Sequence, residues 1–522
     1  MREAAAQTEW AALAPVSAPP PPARPQAAGV PRFKPVDRQQ QVWHTVDVEQ
    51  LIPEDHPARA IWEFTGRLDW SGYQATVHAV TGVAGRAAWD PRLLASLWIY
   101  AYSGGISSAR EVARRCAYEP GLQWLTGLQE VNYHTLADFR VAFKTQLDEV
   151  FVQGLGVLSA EGLITLERVM HDGTKIRACA GADSFRREER LRAHLAAARA
   201  QVAALSDPHA EPTPRQRAAR ARAQRERAQR LEQALVELAA IRAAKPNSAA
   251  QAQARASQTE PQSRIMKQGD GGYAPSYNAQ LSTDAAHRMI VGAGVSQAAS
   301  DYAELPPAMA RVAQNLGQDP AQVVTDGGFT SRENVLAMDA QGIELIGSLD
   351  DHHAQAEGQL HRRGVAEDFY PAAFTYDPAA DVYRCPAGAL LRHESQEVRI
   401  GVVHHRYRAA GAVCAACPFK DQCCPQNTDK GRALTRAVEA PAVAAFLARM
   451  QTDAAKAIYR LRGPIAEFPN AWIKAKLGLR QFRVRGLVKV GLELLWACLT
   501  YNIQQWIRLR WRPRVQPQAA TA

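Results

Sequence analysis

The chain has 522 residues, 47% of them apolar, and carries 62 Lys and Arg against 52 Asp and Glu, with a pI near 9.3. That length and apolar share exclude a disordered polymer and allow roughly two to four domains, while the net charge of +10 argues for nucleic acid over an acidic small molecule as partner. No window is long and apolar enough to span a bilayer, so no membrane role is expected.

The excess charge is local. From Asp429 to Arg514 there are 17 basic and 5 acidic side chains. The N-terminus lacks the charged-then-apolar order of a signal peptide, which predicts a cytoplasmic protein, where disulfides are rare. Eight cysteines therefore call for another explanation.

Residues 1–38 are rich in Ala and Pro ("APVSAPPPPARPQAAGVP") and are expected to form a disordered arm. From 39 to 150 the apolar spacing is helical. "SSAREVARRCAYE" opens with a capping box, Ser108 with Glu111, and "NYHTLADFRVAF" repeats the spacing with Thr135 and Asp138. Two short capped helices fit a helix-turn-helix that binds DNA and fit any small helical bundle equally well.

In "LERVMHDGTKIRACAG" an apolar alternating run carries Asp172 to its end, and Gly173 and Thr174 are expected to turn the chain there. Residues 183–265 then change to Ala, Arg, Gln and Glu. Leu191, Leu195, Val202 and Leu205, and after a Pro-rich break Leu231, Leu235, Leu238 and Ile241, predict an inserted antiparallel helical hairpin. Beyond it come two strands around "DAAH", a helix closed by Gly317, a strand ending in Asp326-Gly327-Gly328, a helix capped by Ser331, and the strand "IELIGSLD". Residues 511–522 are expected to be a disordered tail.

Asp172 and Asp326 share one local setting, so neighbouring strands would bring two carboxylates to one rim, a cation site short of a ligand. Glu467 in "IYRLRGPIAEFPNAWIKAKLGLRQF" supplies a third acid. It is seven residues from Lys474 and so on one helix face with it, with Arg462 and Tyr459 one or two turns before.

These residues resemble the DDE transposases of bacterial insertion sequences (IS4/IS5-like). The family's D-G-T turn is matched by Asp172, Gly173 and Thr174, its D-x-G-[FY] turn by Asp326, Gly328 and Phe329, and its Tyr, Arg, Glu, Lys helix signature by Tyr459, Arg462, Glu467 and Lys474. "LIPEDHPARAIWEF" through "TLADFR" is similar to the helical domain that precedes the core in these proteins. The resemblance implies an α/β, RNase H-like mixed sheet flanked by helices over 151–510, an N-terminal all-α domain, the hairpin insertion, and a small Cys-rich, zinc-ribbon-like insertion over 352–430. In the common signature three residues separate Arg and Glu, whereas here "GPIA" makes four, and Pro469 is expected to kink the helix. Glu439 and Glu493 are alternative third acids.

The resemblance further implies that Asp172, Asp326 and Glu467 are catalytic and hold two Mg²⁺ (or Mn²⁺) ions. Breaking a phosphodiester places negative charge on the attacking and leaving oxygens, and two hard cations roughly 3.5 to 4 Å apart answer both. Arg462 and Lys474 would contact phosphate. Tyr459 either stacks on a base or packs in the core. Arg480, Arg483 and Arg485 lie in "KAKLGLRQFRVRGLVKVG", which with "QQWIRLRWRPR" interleaves basic and aromatic residues as in segments that bind the DNA backbone or in a basic amphipathic helix covering the core. His171, in an alternating strand, should face away from Asp172, and Asp284, His287 and Asp301 are read as turn residues.

Cys385, with the pair Cys414 and Cys417 and either Cys423 or Cys424, has the number and spacing for a structural Zn²⁺ site, with buried free thiols as the alternative. Cys116, Cys179 and Cys498 read as core. The expected activity is cleavage of transposon ends and strand transfer into target DNA. The expected partners are double-stranded DNA bearing terminal inverted repeats, target DNA and a second copy of the chain in a homodimer, at the nucleoid. The rivals are a nuclease or resolvase of the same fold and an inactive DNA-binding relic.

Overall fold

A computed structural model describes residues 38–41, 45–80, 82, 87–205, 213–349, 353–399, 402–426 and 430–516. Almost all of the expected N-terminal arm and residues 517–522 lie outside these. The tail expected from residue 511 is helical through Val515, because the Trp511 indole is buried and donates to Glu63 at 2.9 Å while Arg514 pairs with the same carboxylate at 2.6 Å.

The protein is α/β, with a mixed six-stranded sheet. Its strands are β1 (Arg168–Arg177), β2 (Arg264–Lys267), β3 (Tyr273–Asp284), β4 (Ile290–Ser296), β5 (Gln322–Val324) and β6 (Glu344–Ile346). β3 lies antiparallel to β1, β1 parallel to β5, and β5 parallel to β6, while β4 and the short β2 share the outer edge of β3. Purely local signals account for the short parallel strands: β5 and β6 are apolar triplets or nearly so, covered on both faces, as parallel strands are. This order is compatible with a nuclease-like core.

β1 departs from expectation. Asp172 does not end it; the strand continues to Arg177, since Gly173 to Arg177 pair with Gln280 to Ser276 of β3. A long neighbour overrides the turn propensity of Gly-Thr. The edge strand β4 is closed by side chains instead of a further strand: Asn502 Oδ1 accepts from Ile290 N–H and Asn502 Nδ2 donates to Ile290 O, both at 2.8 Å.

One hydrophobic core joins the N-terminal helices to the sheet, around the helix Leu487–Trp506, which is buried along most of its length. Trp496 reaches from that helix to donate to Arg140 O at 3.2 Å. Ser108 caps its helix as expected, accepting from Glu111 N–H. The helix Tyr133–Ala142 starts earlier than expected, because Asn132 and not Thr135 supplies the cap.

The hairpin forms from Glu188–Leu205 and Pro214–Ala243, closed by Leu191, Leu195, Leu231 and Leu238 with Ala198 and Ala234 between them. The segment expected as a Cys-rich insertion, 352–430, holds four strands of a five-stranded antiparallel sheet, Thr375–Asp377, Val382–Arg384, Leu390–Arg399 and Val402–Ala409, and the fifth, Ala433–Val438, lies beyond it. No helix among the described residues is long and apolar enough to cross a membrane.

Candidate active site

Parallel pairing of Met170 with Val324 sets β1 and β5 in register, and each acid lies two residues further on, Asp172 in β1 and Asp326 just past β5. They therefore come to one rim on the sheet face that Met170 and Val324 share with Ala455 and Ala466. Burial, then the Asp326 charge, pushes the Asp172 carboxyl up to about 6, although Arg462, the Asn470 amide and the Gly173 N–H all favour its ionised form. Asp326 Oδ1 accepts from Gly328 N–H at 2.9 Å, an Asx turn that fixes the acid after its strand.

The helical stretch carrying the third acid absorbs the extra residue of "GPIA" as a π-helical turn, Gly463–Glu467, between the helices Asp453–Arg460 and Phe468–Ala475. A π turn holds one more residue than an α turn, so the downstream helix keeps its phase. Pro469 lies in the first turn of that helix and does not break it. Glu467, Asn470 and Lys474 follow at spacings of three and four, on one face.

That face meets Asp172 and the nearby Thr174 through Asn470 and Lys474. Asn470 Nδ2 donates to Asp172 Oδ2 at 2.8 Å, and its buried Oδ1 has no partner among the described residues. Lys474 donates to the Thr174 hydroxyl, and burial lowers its ammonium below the ordinary lysine range against the opposing pull of Asp172. Glu467 stands apart. It is 62% exposed and its Oε1 lies 3.4 Å from the Arg462 guanidinium. Among the described residues, no group of three or more His, Cys, Asp or Glu is arranged to hold a metal ion.

Other candidates divide. Tyr459 packs against the Met170 and Val324 cluster, the core alternative. Arg480, Arg483 and Arg485 are exposed beside the far end of β1: Arg177 N–H donates to Arg480 O at 3.2 Å and Arg485 Nε to Cys179 O at 3.1 Å. Glu439 pairs with Arg332 at 2.6 Å, and the buried Glu493 accepts from Arg483 N–H at 2.8 Å, so both alternative acids are engaged elsewhere.

On the opposite face of β1, His171 is buried between Ser282 and Gln280, each at 2.9 Å, as the alternation predicts. Asp284 is structural, accepting from Leu166 N–H at 2.8 Å. Asp301 is more than a turn residue. It takes hydrogen bonds from Asn278 at 2.6 Å and Gln280 at 2.9 Å, and Lys175 at 3.1 Å. A Cβ on Gly173 would fall 2.7 Å from Asp301 Oδ1 and 2.8 Å from Gln280 Nε2, so this glycine admits Asp301. Asp301 was expected only as a turn residue and Asn470 did not stand out in the sequence, though the phase of Asn470 relative to Glu467 and Lys474 was a usable signal.

The cysteines gather without forming the expected zinc site. Cys385, Cys414 and Cys423 pack against Phe374, Leu391 and Tyr407, Cys417 and Cys424 line the same cavity, and all eight thiols are free. Burial pushes the Cys423 thiol up to about 12, with Cys424, Cys414 and Cys385 adding to the rise against the pull of Arg432. Zinc is unsupported.

Two family models match the chain: a transposase domain (DUF772) over residues 46–142 and a transposase DDE domain over residues 384–507. The second takes in Glu467 and Lys474 and stops short of both aspartates. No curated protein matches the chain.

Proposed function

We propose that this chain, a DDE transposase of an insertion sequence by the two domains it matches, cuts the ends of its element and joins them to target DNA. The carrying observation is the pairing of Asp172 and Asp326 at one rim of a nuclease-like sheet, with the Asp172 carboxyl pushed up to about 6 partly by its neighbour's charge. Two adjacent acids that resist joint ionisation fit a divalent cation, and Asn470 Oδ1, beside Asp172, faces no donor among the described residues.

Asp172 and Asp326 would hold Mg²⁺ or Mn²⁺, with Glu467 completing the set once it leaves Arg462. Bound there, divalent ions supply positive charge to the attacking and leaving oxygens of a phosphodiester. The chain's own groups do the rest. Asn470 orients Asp172, Lys474 and Arg462 offer cations to the phosphates flanking the scissile bond, and Arg480, Arg483 and Arg485 extend that basic surface. We read the sheet as RNase H-like, residues 39–150 as the segment that binds terminal inverted repeats, and a homodimer as the form that pairs two ends.

A plasmid carrying the element with its flanking repeats tests this. Joined products in a target plasmid support transposition, and cleavage without joining supports a nuclease. The exposed Glu467 favours a second reading, an inactive DNA-binding relic, for which neither product forms.

A further inference from the structure

The inserted hairpin carries its charge unevenly. Between residues 214 and 230 the helix Pro214–Ala243 has seven arginines and one acid, Glu226; beyond that it has Glu232, Glu237 and a single basic residue, Arg242. A solvated coiled-coil flank mixes signs along its length. Near its base the hairpin does so and satisfies its own charge, Arg199 pairing with Glu232 and both Arg192 and Arg242 with Glu188. In the outer half Arg215, Arg220, Arg222 and Arg225 are exposed, and none takes an ion pair or hydrogen bond among the described residues. Arg215 also stands in the helix's first turn, where the macrodipole disfavours positive charge. Nothing among the described residues compensates.

The chemistry of the surface selects its partner. From 214 to 230 every residue other than the charged ones is Ala, Gln or the opening Pro. Without an aromatic ring it cannot stack on single-stranded bases, and without large apolar groups it cannot enter a lipid interface. Arginine forks suit phosphate oxygens.

The root of the hairpin adjoins the basic surface of the site. Glu237 accepts from Arg264 of β2 and from Gln297 at 3.3 Å, and the chain leaving β1 is held by the Arg480–Arg485 segment through Arg177 and Cys179. From Glu237 to Arg215 the helix runs about 33 Å, close to one turn of duplex.

We propose that the hairpin is an arm whose outer arginines, Arg215, Arg220, Arg222 and Arg225, grip phosphates of duplex DNA about half a helical turn to one turn beyond the contacts of Arg480 to Arg485. The position of the cut relative to this grip rests on the proposed function; the grip itself does not.

The test uses the full chain and a fluorescent 40-base-pair duplex of random sequence, with affinity measured across salt concentration. Arg215→Gln, Arg220→Gln, Arg222→Gln and Arg225→Gln together should weaken binding by about tenfold or more near 150 mM salt and flatten the slope of log affinity against log salt by about three. The same four positions changed to Lys should keep most of that slope. Unchanged slope and affinity in the Gln set would overturn the arm, as would loss in the Lys set equal to that in the Gln set. Loss confined to single-stranded RNA or anionic vesicles, with duplex binding intact, would overturn it too. Asp172→Asn is scored separately for cutting: if it still cuts, the cleavage assignment fails while the arm's salt slope stands.

Discussion

Asn470 and Asp172, 298 residues apart, are joined by a 2.8 Å hydrogen bond that ties the third acid's helix to the strand of the first. Because Asn470 stands between Glu467 and Lys474 on one face, this bond sets the helix's rotation over the sheet. Asn470→Ala should lower stability by about 1 to 3 kcal/mol, the usual loss for a hydrogen bond to a charged group, and should reduce DNA cleavage far more than DNA binding. Denaturant unfolding at pH 7 and a cleavage assay measure the two. Equal losses of binding and cleavage would contradict a positioning role.

The Asp172 carboxyl titrates at about 6 in the folded chain against an ordinary 3.8. A raised folded value means that its contribution to stability is fully present below the unfolded value and is lost as pH rises through about 6. Without metal, Asp172→Asn should therefore stabilise the protein at pH 7.5, by at most about 3 kcal/mol, and the gain should vanish toward pH 4. Unfolding curves across that range check it; a variant no more stable at pH 7.5 than the parent would contradict the buried, like-charged setting.

Among the described residues, Glu467 makes one polar contact, at the surface, to Arg462. Glu467→Gln should leave stability within about 0.5 kcal/mol and abolish cleavage, whereas a relic would show no cleavage to lose. Arg462→Gln releases the carboxylate and should weaken DNA binding through the lost cation.

Asn502 closes the outer edge of the sheet by pairing with both backbone groups of Ile290 while only 1% exposed. Asn502→Leu keeps the volume and strands two buried backbone groups, for an expected loss of about 2 to 4 kcal/mol. A thermal or denaturant melt reads it directly.

The sequence was legible where local chemistry decides the outcome. The apolar pair Val323 and Val324, closely followed by Asp326 and Gly327, marked β5, its acid and its turn, and the leucine spacing marked the hairpin. It was not legible where a distant partner decides. Gly173 and Thr174 read as a turn, but Gln280 and its neighbours in β3 hold them in a strand. The extra residue before Glu467 looked like a misplaced acid; a π turn absorbs it without shifting Asn470 or Lys474. The cysteine spacing matched a zinc site, yet those thiols pack among aromatic rings, a geometry that spacing does not encode. The five-stranded sheet around them went unread because most of its residues are exposed and give little apolar alternation.

The most direct measurement titrates Mn²⁺ into the full chain at pH 7.5, following metal binding and the cleavage of element-end DNA in parallel. The parent should bind metal and cut; Asp172→Asn and Asp326→Asn should each lose both while still binding DNA. Cleavage at the parent rate by the doubly substituted chain would contradict a site built on these two aspartates.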